Sequence, residues 1–444
     1  MALRAALTKS RVASIALAAG LALAVPRAAL ALDLDSDAGI LAGTKAAQQR
    51  LKHWDNRKIF GAQAVDERNR EPYKPDGIRF GNYLILPSGE VRSVFEDNVY
   101  GTIDDRVSDF SVQLHTRVRA VSQFKRHHLN FNFGGNIAEY ASRKDLNEVN
   151  GFGSVDGALE IDHAHTISMS LLSDYRHETR LAKDAPLRAR EKTAAWRNKA
   201  SVGITRDAGR LSGTLGASYE SVDFADVTSL DGDNIDQDYR DTQILASDIK
   251  LKYRFSPGYS VTSRIRGMRT LKPSNNTGYE GDNWGVDFVV GVKAESSAIL
   301  HWSFVAGYGF REFDDPQIDT AGQGLFELSA RWIATQNATL IAAARREFDF
   351  TTSEQGSIAT TAALTLQLEA TRNLVFTIDG AYRMSEYLNS DRIDYRLSGA
   401  LRMEYLHSKH VHFNAALEHI DRTSNLSDDA IVENRIWLGA KLLF

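Results

Sequence analysis

The amino-acid sequence predicts an all-β protein, a transmembrane antiparallel up-and-down β-barrel of about 18 strands, and three observations predict it. The first is period-two alternation of apolar and polar residues from about residue 78 onward, sustained in segments of roughly 13–16 residues, longer than the usual 5–6 of soluble strands. The second is a strict alternation of tight turns with long polar loops, as expected of short periplasmic turns on one rim and longer external loops on the other. The third is a final alternating segment closing on an aromatic residue, Phe444.

Each observation is carried by particular residues. Leu129, Phe131 and Phe133 alternate with Asn130, Asn132 and Gly134, and Ile393 to Tyr405 alternates with Asp394 to Glu404. Successive side chains on a strand point to opposite faces, so each segment has one oily and one charged face. Such a segment exceeds the 9–11 residues needed to cross a bilayer at a tilt. Tight turns are read at Phe124-Lys125, Asp207-Ala208-Gly209, Ser256-Pro257-Gly258, Ser296-Ser297, Gln336-Asn337, Thr371-Arg372-Asn373 and Ser408-Lys409. Between them fall the loops 141–148, 178–190, 226–239, 272–281, 313–322, 351–357 and 423–429. The segments run from 90–100 and 107–122 to 410–422 and 430–444. The first is the weakest, with Phe80 to Leu86 able to join it and Pro87 read as a bulge or break; a 16-strand barrel is the alternative. In the last segment Ile436, Leu438, Ala440, Leu442 and Phe444 alternate with Arg435, Trp437, Gly439 and Lys441. This pattern, with Trp437, Leu442 and Phe444 at its centre, is expected to be the signal read by the barrel assembly machinery.

The chain ahead of the barrel divides in two. Arg4, Lys9 and Arg11 precede an apolar run from Val12 to Val25, and Ala29-Leu30-Ala31 supplies small residues for cleavage. Residues 1–31 are therefore read as a signal peptide. Residues 32–77 are read as a periplasmic lead-in segment, helical in spacing from Ile40 to Ile59 and charged from Glu67 to Gly77. Their length also suits a small plug in the lumen. Residues 78–444 are assigned to the barrel. No apolar stretch of 18 residues follows Leu32, so a membrane-bound mature chain must be a closed barrel, the one other structure that satisfies every backbone polar group in lipid.

Composition narrows the function. A net charge of −4 with 25% charged residues argues against a nucleic-acid binder, and zero cysteines excludes thiol chemistry and disulfide scaffolds. Asp231 to Asp236 departs from the calcium-loop pattern, because Ile235 stands where an oxygen ligand is needed. His163 and His165 lie at a turn, and His177-Glu178-Thr179-Arg180 lacks the second His of a zinc-protease helix. No nucleophile is placed beside a base. Neither metal, cofactor nor catalytic residue is expected.

The charges on the strands must face water, because Arg or Lys on the lipid side at the bilayer midplane costs ~2–4 kcal/mol. This register puts Arg117, Arg119, Arg264, Arg266, Arg331, Arg345, Arg396, Arg402 and Arg435 on the lumen face, with Glu327, Glu347, Glu404 and Glu433. Two readings stay open: cross-strand ladders that stiffen the wall, or a basic eyelet that attracts anions.

Local runs carry a resemblance. Phe80-Gly81 and Leu86-Pro87 are followed by Glu96-Asp97-Asn98-Val99-Tyr100 and Ser108-Asp109-Phe110. Then come Arg126-His127-His128-Leu129-Asn130-Phe131 and His177-Glu178-Thr179-Arg180. Together, from Gly77 to about Arg180, they resemble the putative beta-barrel porins of the second such family, from Gram-negative bacteria; position 96 is Glu where that family more often has Asp. The resemblance implies a pore-type barrel in the outer membrane, without established catalytic residues, some relatives accompanying exopolysaccharide secretion machinery. The expected function is passage of small polar or anionic solutes. The alternatives are a conduit for exopolysaccharide export and a non-conducting structural barrel blocked by loop 178–190 or 226–239. Expected partners are outer-membrane lipid and lipopolysaccharide, the assembly machinery and, in the export reading, polysaccharide export components, with no nucleic acid.

Overall fold

The computed structural model describes residues 63–444 apart from 183, 187–188, 273–280, 295–298, 350–355, 389 and 426–430. The signal peptide, most of the lead-in and the turn Ser296-Ser297 lie outside the described residues.

A three-residue strand, β1 (Ile78–Phe80), turns at Gly81 into β2 (Tyr83–Glu96). Then follow β3 (Asp109–Ser122), β4 (His128–Tyr140), β5 (Glu148–Glu160), β6 (His165–His177), β7 (Ala194–Ala208) and β8 (Leu211–Phe224). A small external hairpin of β9 (Val227–Thr228) and β10 (Asn234–Ile235) interrupts the wall. The wall resumes with β11 (Thr242–Ser256), β12 (Tyr259–Leu271), β13 (Asn283–Ala294), β14 (Leu300–Phe313), β15 (Ala321–Thr335) and β16 (Ala338–Asp349). It ends with β17 (Ser357–Thr371), β18 (Leu374–Tyr387), β19 (Ile393–Leu406), β20 (Val411–Ser424) and β21 (Ile431–Leu443). Every wall strand pairs antiparallel with its neighbour, and β2 pairs with β21, so 18 strands close a ring without an edge. Closure matters in lipid, where an unpaired backbone edge finds no water.

The expected boundaries move most at the first strand, and by smaller amounts at others such as β7. The first strand begins at Tyr83, seven residues before the segment read from the sequence, and Pro87 lies within it as neither bulge nor break. The Pro87 carbonyl faces β21 and accepts from Phe444 N at 3.3 Å, while the β2–β21 ladder starts only at Ser88↔Leu443. A strand residue's N–H and C=O point the same way, so the missing N–H would have faced the Phe444 carbonyl, just past the last residue of β21. Only that one bond at the rim end of the ladder is lost, which is why proline is tolerated there.

Alternation sorts the two faces. Phe110, Val112, Leu114, Ile249, Leu251, Ile265, Phe288, Leu397, Leu401, Leu417, Ile436 and Leu438 are all exposed on the outer face. Aromatic residues gather at both ends of this band. Phe255, Trp332, Phe413 and Phe444 lie near the short turns, and Phe110, Trp284 and Tyr395 near the long loops. An apolar belt bounded by aromatic girdles is what a bilayer requires of a barrel. The alternate residues face the lumen, among them Glu90, Arg92, Asp174, Arg197, Arg311, Asp379 and Glu433, most of them buried against one another or against segments folded into the barrel.

Candidate functional site: the lumen

Two segments enter the lumen, and they determine which wall charges remain accessible. The first is residues 63–77, at the short-turn rim. Ala64 and Val65 are buried, and Val65 N donates to Thr339 Oγ1 at 3.0 Å. Arg331 of β15 binds Glu67 and approaches Asp66 at 3.5 Å. Arg68 and Arg70 hold Glu369 of β17 at 2.9 and 2.7 Å. Further along, the Tyr73 carbonyl lies 3.2 Å from His412 Nε2, and Asp76 meets Lys409. Hydrogen bonding to Lys409 and its charge hold the Asp76 carboxyl below the usual carboxylate range. This end of the lead-in therefore lies inside the mouth, strapped to the inner wall from β15 to β20.

The second is the loop 178–193, which leaves between β6 and β7 and crosses to the opposite wall. Leu181 packs on Ile420 of β20 and Ile431 of β21. Arg396 of β19 donates to the Leu181 carbonyl at 3.2 Å, and Arg422 of β20 donates to the Ala182 carbonyl at 2.9 Å. Tyr387 of β18 donates to Asp184 at 2.9 Å. At its root, Glu178 forms a two-point pair with Arg240 at 2.7 Å for both contacts, and neither side chain is exposed beyond 2%. Burial alone would lower the Arg240 pKa, but the Glu178 carboxylate outweighs it and holds the guanidinium above its ordinary value. Removing one partner of such a pair strands a buried charge, at about 3–5 kcal/mol. Arg240 also lies over the Phe224 ring at 4.0 Å. A bridge between Ala189 and Ser229 and the bond from Arg190 N to Thr228 O at 2.7 Å tie this loop to the outer loop 225–241.

Two of the runs behind the family resemblance, Glu96 to Tyr100 and His177 to Arg180, meet at the seat of this loop. Asn98, fully buried, donates to Thr102 O and Val432 O at 2.7 and 2.9 Å. Asp97 holds Asn434 of β21, and Glu96 takes the Tyr140 hydroxyl at 3.2 Å. Gly101 has φ of 63°, and a Cβ there would sit 2.8 Å from the Arg180 Cβ. Glycine is required for both reasons: the left-handed backbone and the close approach of the loop.

The lumen charges divide between the two readings. Arg331 is covered by the strap. Arg345 pairs with Glu347 at 3.0 Å, Arg402 with Asp379 at 2.7 Å, and Arg435 with Glu433 at 2.7 Å and Glu96 at 3.5 Å. Glu404 lies 3.5 Å from His412, and Arg396 serves the crossing loop. Arg402–Asp379 and Arg435–Glu96 run across strands, Arg345–Glu347 and Arg435–Glu433 along one strand, and Arg396 is an anchor. Arg117 and Arg119 on β3 face open lumen, the former bonded to Asn132 at 2.7 Å and over the Phe152 ring at 5.5 Å. Arg264 and Arg266 face a cavity of about 470 Å³ against β11–β16, which Glu327, Glu347 and Arg345 also line. Trp437 points inward, stacked under Arg92 at 4.2 Å, with Leu442 and Phe444 outward. Sequence reading passed over Asp66, Glu67, Glu369, Arg240, Arg311 and Arg422. Of the contacts they make, only the Glu178 side carried a signal, inside the run His177 to Arg180.

Asp226, Asp236 and Asp238, all exposed, gather in the outer loop 225–241. Their neighbour Asp241 is pushed up to about 6, first by burial and then by Asp223 and Asp238.

No curated protein matches the chain in sequence. Among solved structures it is similar to the siderophore receptor PiuA from Acinetobacter baumannii, at TM-score 0.45 and 10% identity over 83% of this chain and 82% of that one. Pseudomonas aeruginosa OccK1 (OpdK) is similar at TM-score 0.44 and 8% identity over 81% and 99%. OpdO from the same organism gives 0.45 and 10% over 81% and 97%. The profile of the family described as putative beta-barrel porin 2 matches residues 71–444, well beyond the stretch of local motifs. With a closed ring, an apolar belt and a match over nearly the whole barrel, the chain belongs to the putative beta-barrel porin 2 family, the pore-type barrels of the bacterial outer membrane.

Proposed function

We propose that the barrel passes small polar solutes, anions preferentially, through a water-filled lumen narrowed by the crossing loop. The observation that carries this reading is the set of inward basic residues left accessible when the two inward segments are in place: Arg117 and Arg119 on β3, Arg264 and Arg266 on β12. A wall of 16–18 strands is wide enough to leave an aqueous channel, and fixed positive charge in its lining raises the local anion concentration. Swelling of liposomes carrying the purified chain tests it. Isosmotic solutions of a small neutral sugar and of a small anion of similar size should both swell the vesicles faster than protein-free controls, the anion more so. Inserted barrels that cause no swelling would overturn passive passage. The weight would then move to a conduit opened by export partners, or to a non-conducting barrel, which the strap and the loop 178–193 favour by narrowing both ends.

A further inference from the structure

We propose that the wall of β11 and β12 holds a binding site for a small organic carboxylate, with Arg264 and Arg266 as its primary contacts. This rests on the passage reading and adds to it a discrete, saturable station.

Arg264 and Arg266 stand two apart on one face of β12, so their attachment points are roughly 7 Å apart along the strand. Both Nε atoms are buried without a hydrogen-bond partner, and among the described residues neither guanidinium forms an ion pair. Arg331, Arg345, Arg402 and Arg435 in this lumen find carboxylates and Arg396 a carbonyl, and here Asp287, Glu347 and Glu220 are already engaged. Asp287, directly across from Arg266 on β13, is held at 2.7 and 3.1 Å by Arg311, itself 2% exposed and stacked on Phe348 at 4.3 Å. Glu347 holds Arg345, and Glu220 holds Lys199 at 2.6 Å. Asp248 stands opposite Arg266 in the β11 register, yet its Oδ1 is buried with no hydrogen-bond partner.

Lys250 is directly opposite Arg264 across β11–β12, so two basic side chains of adjacent strands stand side by side at the cavity. The cavity in front is lined by seven basic and three acidic side chains. Its remaining lining mixes Ser and Thr hydroxyls with apolar side chains, the latter being chiefly Met268, Val289, Val305 and Leu325, with the Phe348 ring beside Arg311. Guanidinium groups recognise carboxylates with paired, charge-assisted hydrogen bonds. About 470 Å³ is within the range of small-molecule sites. Cations with apolar side chains set between them suit an organic carboxylate better than an inorganic anion.

The experiment uses the full chain in planar bilayers in potassium chloride, with benzoate titrated as the probe. Wild type should show a chloride current that falls along a saturating curve. Arg264→Gln with Arg266→Gln should raise the half-blocking concentration at least tenfold, Arg264→Lys should raise it several-fold, and Arg254→Gln near the turn rim should leave it unchanged. A heat-modifiability gel confirms that each variant is folded. A linear, non-saturating benzoate effect, or equal block in wild type and the double variant, would overturn the site while leaving passage standing. Block by acetate or inorganic phosphate as strong as by benzoate would overturn the organic-carboxylate assignment. Should wild type carry no current, passive passage fails. The site is then judged alone by calorimetric titration of benzoate into the detergent-solubilised barrel, where wild-type binding lost in the double variant supports it and no wild-type binding overturns it.

Discussion

Arginine plays three parts in this lumen, and its neighbours decide which. Arg331 and Arg240 are buried and paired, Arg396 and Arg422 spend their donors on backbone carbonyls of a loop, and Arg264 and Arg266 face a cavity. Arg240 lies in the outer loop 225–241, and what the others share is the inward face of a strand, which is a matter of register alone. That register is testable one residue at a time. Ile265 lies on the outer face between Arg264 and Arg266, 46% exposed, and Thr214 lies on the inner face of β8 lining the cavity. Ile265→Arg should destabilise the folded barrel by ~2–4 kcal/mol if it sits near the midplane, whereas Thr214→Arg should cost little. Urea titration of barrels refolded into lipid vesicles measures both, and equal costs would mean that the faces are assigned the wrong way round.

At the scale of elements, the strands were legible and the inward segments were not, for one physical reason. Period two is a local property of the chain, so Ile393 to Tyr405 announces β19 without reference to any other residue. β20 and β21 begin within one residue of the segments 410–422 and 430–444 read from the sequence. The first strand was misplaced because Pro87 reads as a break until its position beside the end of β21 is known. The path of loop 178–193 depends on Arg396 and Arg422, more than 200 positions away, and the strap depends on Arg331 and Glu369, more than 260 away. No local pattern encodes such contacts. The strap's ion pairs bear directly on how the turn-side mouth behaves. Asp66→Asn with Glu67→Gln leaves Arg331 buried and uncompensated, so the segment should detach. The expected outcome is a larger single-channel conductance than wild type and faster proteolysis near residue 70 from the turn side. Unchanged conductance together with unchanged cleavage would show that the strap does not limit the mouth.

For the whole molecule, ring closure and charge distribution act together. Closure of β2 on β21 removes the sheet edge, the outer face satisfies the bilayer, and the charges that remain have the lumen as their place. A chain with a net charge of −4 thus presents a basic cavity in its interior, seven basic to three acidic side chains. Fixed wall charge acts over the screening length, ~10 Å at 0.1 M salt, so its influence on permeating ions should fade as salt rises. The most direct measurement is the reversal potential of the purified chain in a planar bilayer under a potassium chloride gradient. An anion-selective potential that shrinks as both solutions are made more concentrated, and shrinks again when Arg117, Arg119, Arg264 and Arg266 are changed to Gln, is the predicted result. A cation-selective wild type, or inserted barrels that carry no current, would contradict the account.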